Sequence, residues 1–283
     1  MADRGTCRPM AGSMKVWVLG SGSRGNATVI DNGSTRVLVD AGFSSRELRR
    51  RFATAGIAPE SVEAVIVTHE HTDHMGGAAR SAHRWNWTLH ATAGTVRSAP
   101  ELVDAAVRSF DAGATLTFGT MNVHTVSISH DATEPIAVVA TDIVSGARAA
   151  VVVDLGRMTP QLRDAIRELD ILVLESNHDE AMLARGPYPI SVQRRIAGAS
   201  GHLSNREAGV IARTCAHSGL QHLVLAHLSE HCNTPDHALA SVSTALARSR
   251  FRGRVTAAQQ DVVHGAFVAG RRGSRAQQLA LAL

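Results

Sequence analysis

The chain has 283 residues, 44% of them hydrophobic, which is enough for a packed interior and argues against global disorder. Its formal net charge is only +4, but seven arginines (Arg248, Arg250, Arg252, Arg254, Arg271, Arg272 and Arg275) face one acid, Asp261, from position 248 onward, a basic segment suited to a polyanionic partner. No run of about 18 apolar residues occurs, so no membrane span is expected, and the opening MADRGTCRPMAGS lacks the apolar stretch of a signal peptide.

In chain order, three short extended runs come first, KVWVLG, NATVI and TRVLVDAG, separated by the turn-like SGSRG and DNGS. Ser44–Ala55 reads as a helix, with Ser44 as its cap and Glu47 three residues later. Val62–Val67 is the next strand and ends in THEHTDH, after which a short helix begins near His74 and WTLHA (87–91) forms a strand. From Thr115 to Val153 the pattern turns to strands again, in TLTF, MNVHTVSIS, PIAVVATDI and AAVVVDL. Thr159–Leu169 reads as a helix and DILVLES (170–176) as a buried strand. Helices are then expected at Ile190–Ala197, Asn205–His217 and Asp236–Ala247, with strands at His222–Ala226 and Arg254–Ala258. This order is no clean βαβ series, and no internal repeat is evident. Two sheets in contact with helices on their outer faces accommodate it. The expected organisation is an extension (1–13), one domain (14–267) and a basic tail (268–283).

THEHTDH packs three histidines and one aspartate into six residues directly after an apolar strand. On an extended backbone His69 and His71, two apart, point the same way and can meet one ion. Asp73 and His74 follow the bend and can reach a second. The pattern recurs: His130 ends VSISH, Asp154 ends VVVD, and His227 follows HLVLA. If these strands run in register, their ends converge on one rim. Mixed imidazole and carboxylate ligation suits zinc, manganese or iron. The three cysteines, Cys7, Cys215 and Cys232, are odd in number and form no CxxC pair, which argues against a disulfide scaffold and for a reducing, cytoplasmic setting.

The stretches LGSGSRGNATVI, LVDAG, THEHTDH, SHDA, VVDLG, LVLESNHD, YPISVQRRI, SGHLSN and LAHLSEHCN resemble the metallo-beta-lactamase fold superfamily and, within it, a bacterial branch of YycJ- or WalJ-like hydrolases. The resemblance spans nearly all of Met14–Phe267. It implies a mixed α/β fold, a four-layer αββα sandwich with two divalent transition-metal ions at one edge. His69, His71 and His130 would hold the first ion, Asp73, His74 and His227 the second, with Asp154 bridging. It also implies a 5′-to-3′ exonuclease on double-stranded DNA that uses a metal-bridging hydroxide, binds duplex ends and has DNA-repair partners. Asp73 is expected to orient the nucleophile and His202 to donate a proton to the leaving group.

Asp40, Glu175, Asn177, His178 and Asp179 are expected to brace the ligands, because so many polar groups at strand ends are costly unless paired. Ser21, Ser23 and Asn26 in the Gly/Ser turn, Arg194 and Arg195, Asn205, and His231 and Asn233 are the expected substrate contacts; Arg185 lies nearby. Ser204 with Glu207 reads as a capping box. Three other readings share the residues: a small-molecule hydrolase of a thioester, lactone, lactam or cyclic nucleotide, an RNA-processing nuclease, and a non-catalytic DNA-binding protein.

Overall fold

The computed structural model describes residues 13–270. Residues 1–12 and 271–283, with Cys7, Arg271, Arg272, Arg275 and most of the expected extension and tail, lie outside the described residues.

Two seven-stranded sheets form the centre. The first begins with β1 (Met14–Gly20), β2 (Ala27–Asp31) and β3 (Arg36–Val39), paired antiparallel. It continues in parallel through β4 (Ala64–Ile66), β5 (Leu89–Thr92) and β6 (Val107–Phe110). The second follows the same plan. Strands β7 (Thr115–Phe118), β8 (Met121–Ser127), β9 (Ile136–Asp142) and β10 (Arg148–Val152) pair antiparallel. Strands β11 (Ile171–Glu175), β12 (His222–Ala226) and β13 (Arg254–Ala257) extend it in parallel. A last strand, β14 (His264–Ala269), returns to the first sheet and pairs antiparallel with β1. The architecture thus repeats even though the sequence does not. The expected domain end at 267 is two residues short, since Val268 and Ala269 pair with Lys15 and Met14.

Side-chain alternation builds the layers. Val16 and Val18 of β1, Val37 of β3, Val138 of β9, Val173 of β11 and Val224 of β12 meet between the sheets. Leu19, Val29, Leu38 and Val65 face outward under α1 (Ser45–Thr54), α2 (Thr72–Met75), α3 (Ala78–Trp85) and the short α4 (Ala93–Ser98), among them Phe52, Trp85 and Trp87. Leu172, Leu174, Leu223 and Leu225 face the other way. They lie under α5 (Pro160–Ala165), α8 (Asn205–Cys215) and α9 (Pro235–Leu246), with Leu162, Ile211 and Val242 packed on them, while the short α6 (Glu180–Ala184) and α7 (Ile190–Ile196) come between α5 and α8 in the chain. Strands covered on both faces read as unbroken apolar runs such as ILVLE. The result is the expected four-layer αββα sandwich.

Helix ends follow the cap chemistry read from sequence. Ser44 accepts from the Glu47 amide, and Ser204 forms a complete capping box with Glu207. The parallel strands carry their C-terminal ends to one rim, where α/β folds place ligands. Because β13 runs parallel to β12, Arg254 sits beside His222, at the end away from His227. The described arginines from 248 to 254 therefore stand at the opposite end of the strands from that rim.

Candidate metal centre

Asp40 follows β3, the 68–74 loop follows β4, Asp154 follows β10, Glu175 ends β11 and His227 follows β12. Three of these residues adopt left-handed backbone: Asp40 (φ 63°), Asp154 (φ 55°) and His227 (φ 53°). Each such non-glycine position costs about 1–2 kcal/mol, and each turns its side chain back onto the rim. Between the β3 and β4 loops, glycine is required by contact. A Cβ on Gly42 would lie 1.7 Å from the Asp73 carbonyl oxygen.

All seven sequence-proposed ligands meet at this rim. Ligand atoms of His69, His71 and His130 gather within 4.8 Å of one another, as do those of Asp73, His74 and His227, and Asp154 joins both His69 and His74 on one side and His227 on the other. The imidazoles are oriented from behind. His74 Nδ1 lies 2.8 Å from Asp40 Oδ2, His130 Nδ1 lies 3.1 Å from the Gly201 carbonyl, and His227 Nδ1 lies 3.0 Å from Glu175 Oε1. His69 Nδ1 lies 3.1 Å from Thr68 Oγ1, which in turn donates to Asp40. An Nδ1–H donated outward leaves the Nε2 lone pair facing in, the arrangement that metal-binding histidines require. His71 presents Nδ1 instead, 3.4 Å from His130 Nε2.

Two buried atoms carry the fit to metal. His69 Nε2 and Asp154 Oδ2 have no hydrogen-bond partner. Asp154 Oδ2 lies 2.6 Å from His74 Nε2 without hydrogen-bond alignment. Inward lone pairs left unpaired beside carboxylates are what a cation shared between clusters satisfies.

The electrostatics agree. Burial opposes charge on His74, but Asp154 and Asp40 outweigh it and hold its pKa well above the ordinary value. Burial is likewise overcome at His227, which Asp154, Asp73 and Glu175 push up to about 9. Burial opposes ionisation of Asp154 and Glu175, yet the imidazoles His227 and His74 hold Asp154 well below the carboxylate range, and His202 brings Glu175 to about 2. Asp73 is also lowered, by His227 and His74 against burial. His69 and His130 are lowered by burial. The buried carboxylates thus favour positive charge at His74 and His227, as they would favour cations at this rim.

A cleft of about 210 Å³ opens on this rim, lined by His71, Asp73, His130, Asp154, His202 and His227, with Ser23, Asp131 and Arg195 at its mouth. His202 Nδ1 lies 2.8 Å from Glu175 Oε1 and 3.2 Å from Asp154 Oδ1, and Glu175 above all holds its pKa well above the ordinary value against burial. Arg195 is exposed and lies 3.6 Å from Asp131.

The remaining proposed residues divide. Asn177 donates to the His227 carbonyl, and Glu175 accepts from the Leu155 and Leu203 amides as well as from His202 and His227. Asp179 caps α6, and the His178 ring lines a separate groove with Arg194; neither contacts a ligand side chain. Ser21 and Asn26 are buried and bonded to each other, so they do not face the cleft. Asn205 and Asn233 are buried and tie loops together, Asn205 Nδ2 donating to Asn233 Oδ1 and Asn233 Nδ2 to the Ser176 carbonyl. His231 packs its ring near Tyr188, centroids 6.1 Å apart. Thr68, Asp131 and the Gly201 carbonyl were missed from sequence. Thr68, between a strand and a ligand, was the findable one, since a hydroxyl there can reach both Asp40 and His69.

Residues 20–126 match the family described as the metallo-beta-lactamase superfamily. The chain is 32% identical over 238 residues to exodeoxyribonuclease YycJ of Bacillus anthracis, covering 83% of this chain and 89% of the relative. It is 28% identical over 242 residues to exodeoxyribonuclease WalJ of Streptococcus pneumoniae, with the same coverage. Among solved structures, the metallo-beta-lactamase fold protein YhfI from Bacillus subtilis superposes with a TM-score of 0.67 at 21% identity, covering 89% of this chain and 99% of that one.

Proposed function

The chain belongs to the metallo-beta-lactamase superfamily, beside the YycJ- and WalJ-like exodeoxyribonucleases, and from that premise we propose that it is a dinuclear metal-dependent phosphodiesterase that digests double-stranded DNA from a 5′ end. The observation that carries the hydrolase reading is the pair of inward, unpartnered atoms, His69 Nε2 and Asp154 Oδ2, at the meeting of two donor clusters. The DNA substrate is supported by the relatives' named activity.

In this reading His69, His71 and His130 would hold one ion and Asp73, His74 and His227 the other, with Asp154 available to both. When bound, two divalent ions lower the pKa of water and offset charge on a phosphoryl group; zinc, manganese and iron all suit the donor set. Asp73, partly exposed in the cleft, accepts a hydrogen bond from the attacking water and orients it. His202 keeps Nδ1 on Glu175 and so holds its second proton at Nε2, as a donor to the leaving oxygen. Arg195 exchanges Asp131 for a substrate phosphate, and Ser23 offers its hydroxyl beside it.

The test sets labelled linear duplex DNA, matching RNA and a generic phosphodiester against wild type and Asp154→Asn, with zinc, with manganese and with chelator. Metal-dependent digestion of the duplex from its 5′ ends, lost in the variant, is expected. Hydrolysis of small esters alone, or digestion that survives the substitution, refutes the reading.

A further inference from the structure

We propose that Asn26 is the positioning residue of the second cluster, Asp73, His74 and His227, and that the buried Ser21 and Asn26 serve to form that ion site rather than to cradle a phosphate. The inference rests on the dinuclear reading above.

Asn26 is buried and uses both ends of its amide. Oδ1 accepts from Ser21 Oγ at 2.9 Å and from the Gly22 amide at 3.0 Å. Nδ2 lies 3.3 Å from Asp73 Oδ2, 3.1 Å from His74 Nε2 and 3.2 Å from the Gly22 carbonyl. Its backbone N–H donates to the Asp73 carbonyl at 2.7 Å, and its carbonyl accepts from Gly42 at 3.1 Å. Ser21 Oγ meanwhile accepts from the His227 amide at 2.9 Å. One short loop therefore touches all three members of the second cluster.

None of these bonds reaches His69, His71 or His130, which hang from Thr68, the β4 end and the Gly201 carbonyl. Thr68 and Asp40 are shared, Thr68 Oγ1 lying 3.1 Å from His69 Nδ1 and 3.3 Å from His74 Nδ1, but the Asn26 bonds are confined to the second cluster. Asp73 shows the consequence most directly. Its carboxylate meets His74 Nε2 at 3.5 Å and His227 Nε2 at 3.4 Å, both ligand candidates, and the Asn26 amide is its other partner among the described residues. Without that amide, the partly exposed carboxylate is free to turn toward water.

The loop is itself held from the far end of the chain. Gln260 Oε1 accepts from the Arg24 amide at 2.8 Å, and Gln260 Nε2 donates to the Gly25 carbonyl at 2.9 Å. Buried Arg51 donates to the Gln260 carbonyl and to the Leu19 carbonyl, fixing both sides of the loop. Gln260 thus acts on the second cluster through Asn26 and touches no ligand.

The test is a Zn²⁺ titration of the chelator-treated protein by calorimetry, with Co²⁺ absorption as a second readout. Wild type is expected to bind two ions. Asn26→Ala should leave one event within about threefold and weaken the other about 10–100-fold, the range for lost support behind a ligand. Gln260→Ala should weaken the same event by a smaller factor. Equal weakening of both events, or none, overturns the inference; if Asn26→Ala does not fold, Gln260→Ala decides by the same criterion. Wild type binding fewer than two ions instead overturns the dinuclear reading, and this inference with it.

Discussion

Replacing Glu175 by glutamine changes one atom and tests how the rim is held together. The side chain is fully buried and accepts four hydrogen bonds, from His202 Nδ1 and His227 Nδ1 on Oε1 and from the Leu155 and Leu203 amides on Oε2. A carboxylate is acceptor-only, so all four donors are met. Glutamine has one oxygen, and whichever way it turns, its NH₂ confronts two donors. Each buried donor left unmet costs about 1–3 kcal/mol, so roughly 2–6 kcal/mol is at stake if nothing else moves. The escape is for the NH₂ to face the histidines, which then give up the Nδ1 proton and accept. On His227 this moves the proton to Nε2, the atom facing Asp73 at 3.4 Å, and removes the lone pair an ion needs. Urea unfolding of the chelated protein and zinc titration of the same sample should show a lowered midpoint, a second-site affinity down about 10–100-fold, or both. Glu175 also helps hold His202 above its ordinary pKa, so the alkaline limb of kcat should move to lower pH in the variant. An unchanged unfolding midpoint together with zinc affinity within threefold of wild type refutes the reasoning.

The chelated protein should show a stability maximum on the acid side of neutral. His227 is raised from about 6.5 to about 9, so its contribution is complete below pH 6.5 and is lost as pH climbs through 9, about 3 kcal/mol for that group alone; the lowered pKa values of Asp154, Asp73 and Glu175 give contributions present above about pH 4 and lost in acid. Zinc requires neutral imidazoles, so melting curves of the loaded protein should lose that alkaline decline. Arg195→Ala should raise KM for duplex DNA and reduce the slope of log affinity against log salt by about 0.9, whereas Arg194→Ala, on the groove away from the cleft, should leave both unchanged. Gly42→Ala must displace the Asp73 backbone and should lower both the melting temperature and zinc stoichiometry.

Elements buried on both faces were legible because their burial is written as unbroken apolar sequence; β12, His222–Ala226, is matched residue for residue. The missed elements have another origin. Strand β6, VRSF, is a half-exposed edge that pairs only with β5, and β14 is completed by pairing with β1 from the other end of the chain. Helices α4 and α6 are one to two turns long, set by the caps Thr92 and Asp179 rather than by a periodic apolar face. Ligand candidates were legible because each stands where an apolar run stops. Buried amides were not. Asn26, Asn205 and Asn233 sit in polar loops where sequence does not reveal whether an amide faces its own loop or the cleft. Neighbouring residues on a helix diverge by about 100°, so of Arg194 and Arg195 only one was able to face the cleft.

The same accounting bears on whether the rim is catalytic or a relic on a binding protein. Asp154 and Glu175 are buried at the rim with Asp73 close by, among imidazoles gathered within ligand distance of one another. Taking paired charges out of water often returns less than hydrophobic packing of the same volume. Asp40, Asp154 and His227 add left-handed backbone to that cost. A fold with no use for ions would be stabilised by apolar substitution at Asp154 and by relaxing these turns. The chain instead backs five of the seven proposed ligands with a polar partner: Asp40 for His74, Thr68 for His69, the Gly201 carbonyl for His130, Glu175 for His227 and Asn26 for Asp73. Supports of that kind fix lone-pair direction, which is what a bound cation requires of its ligands.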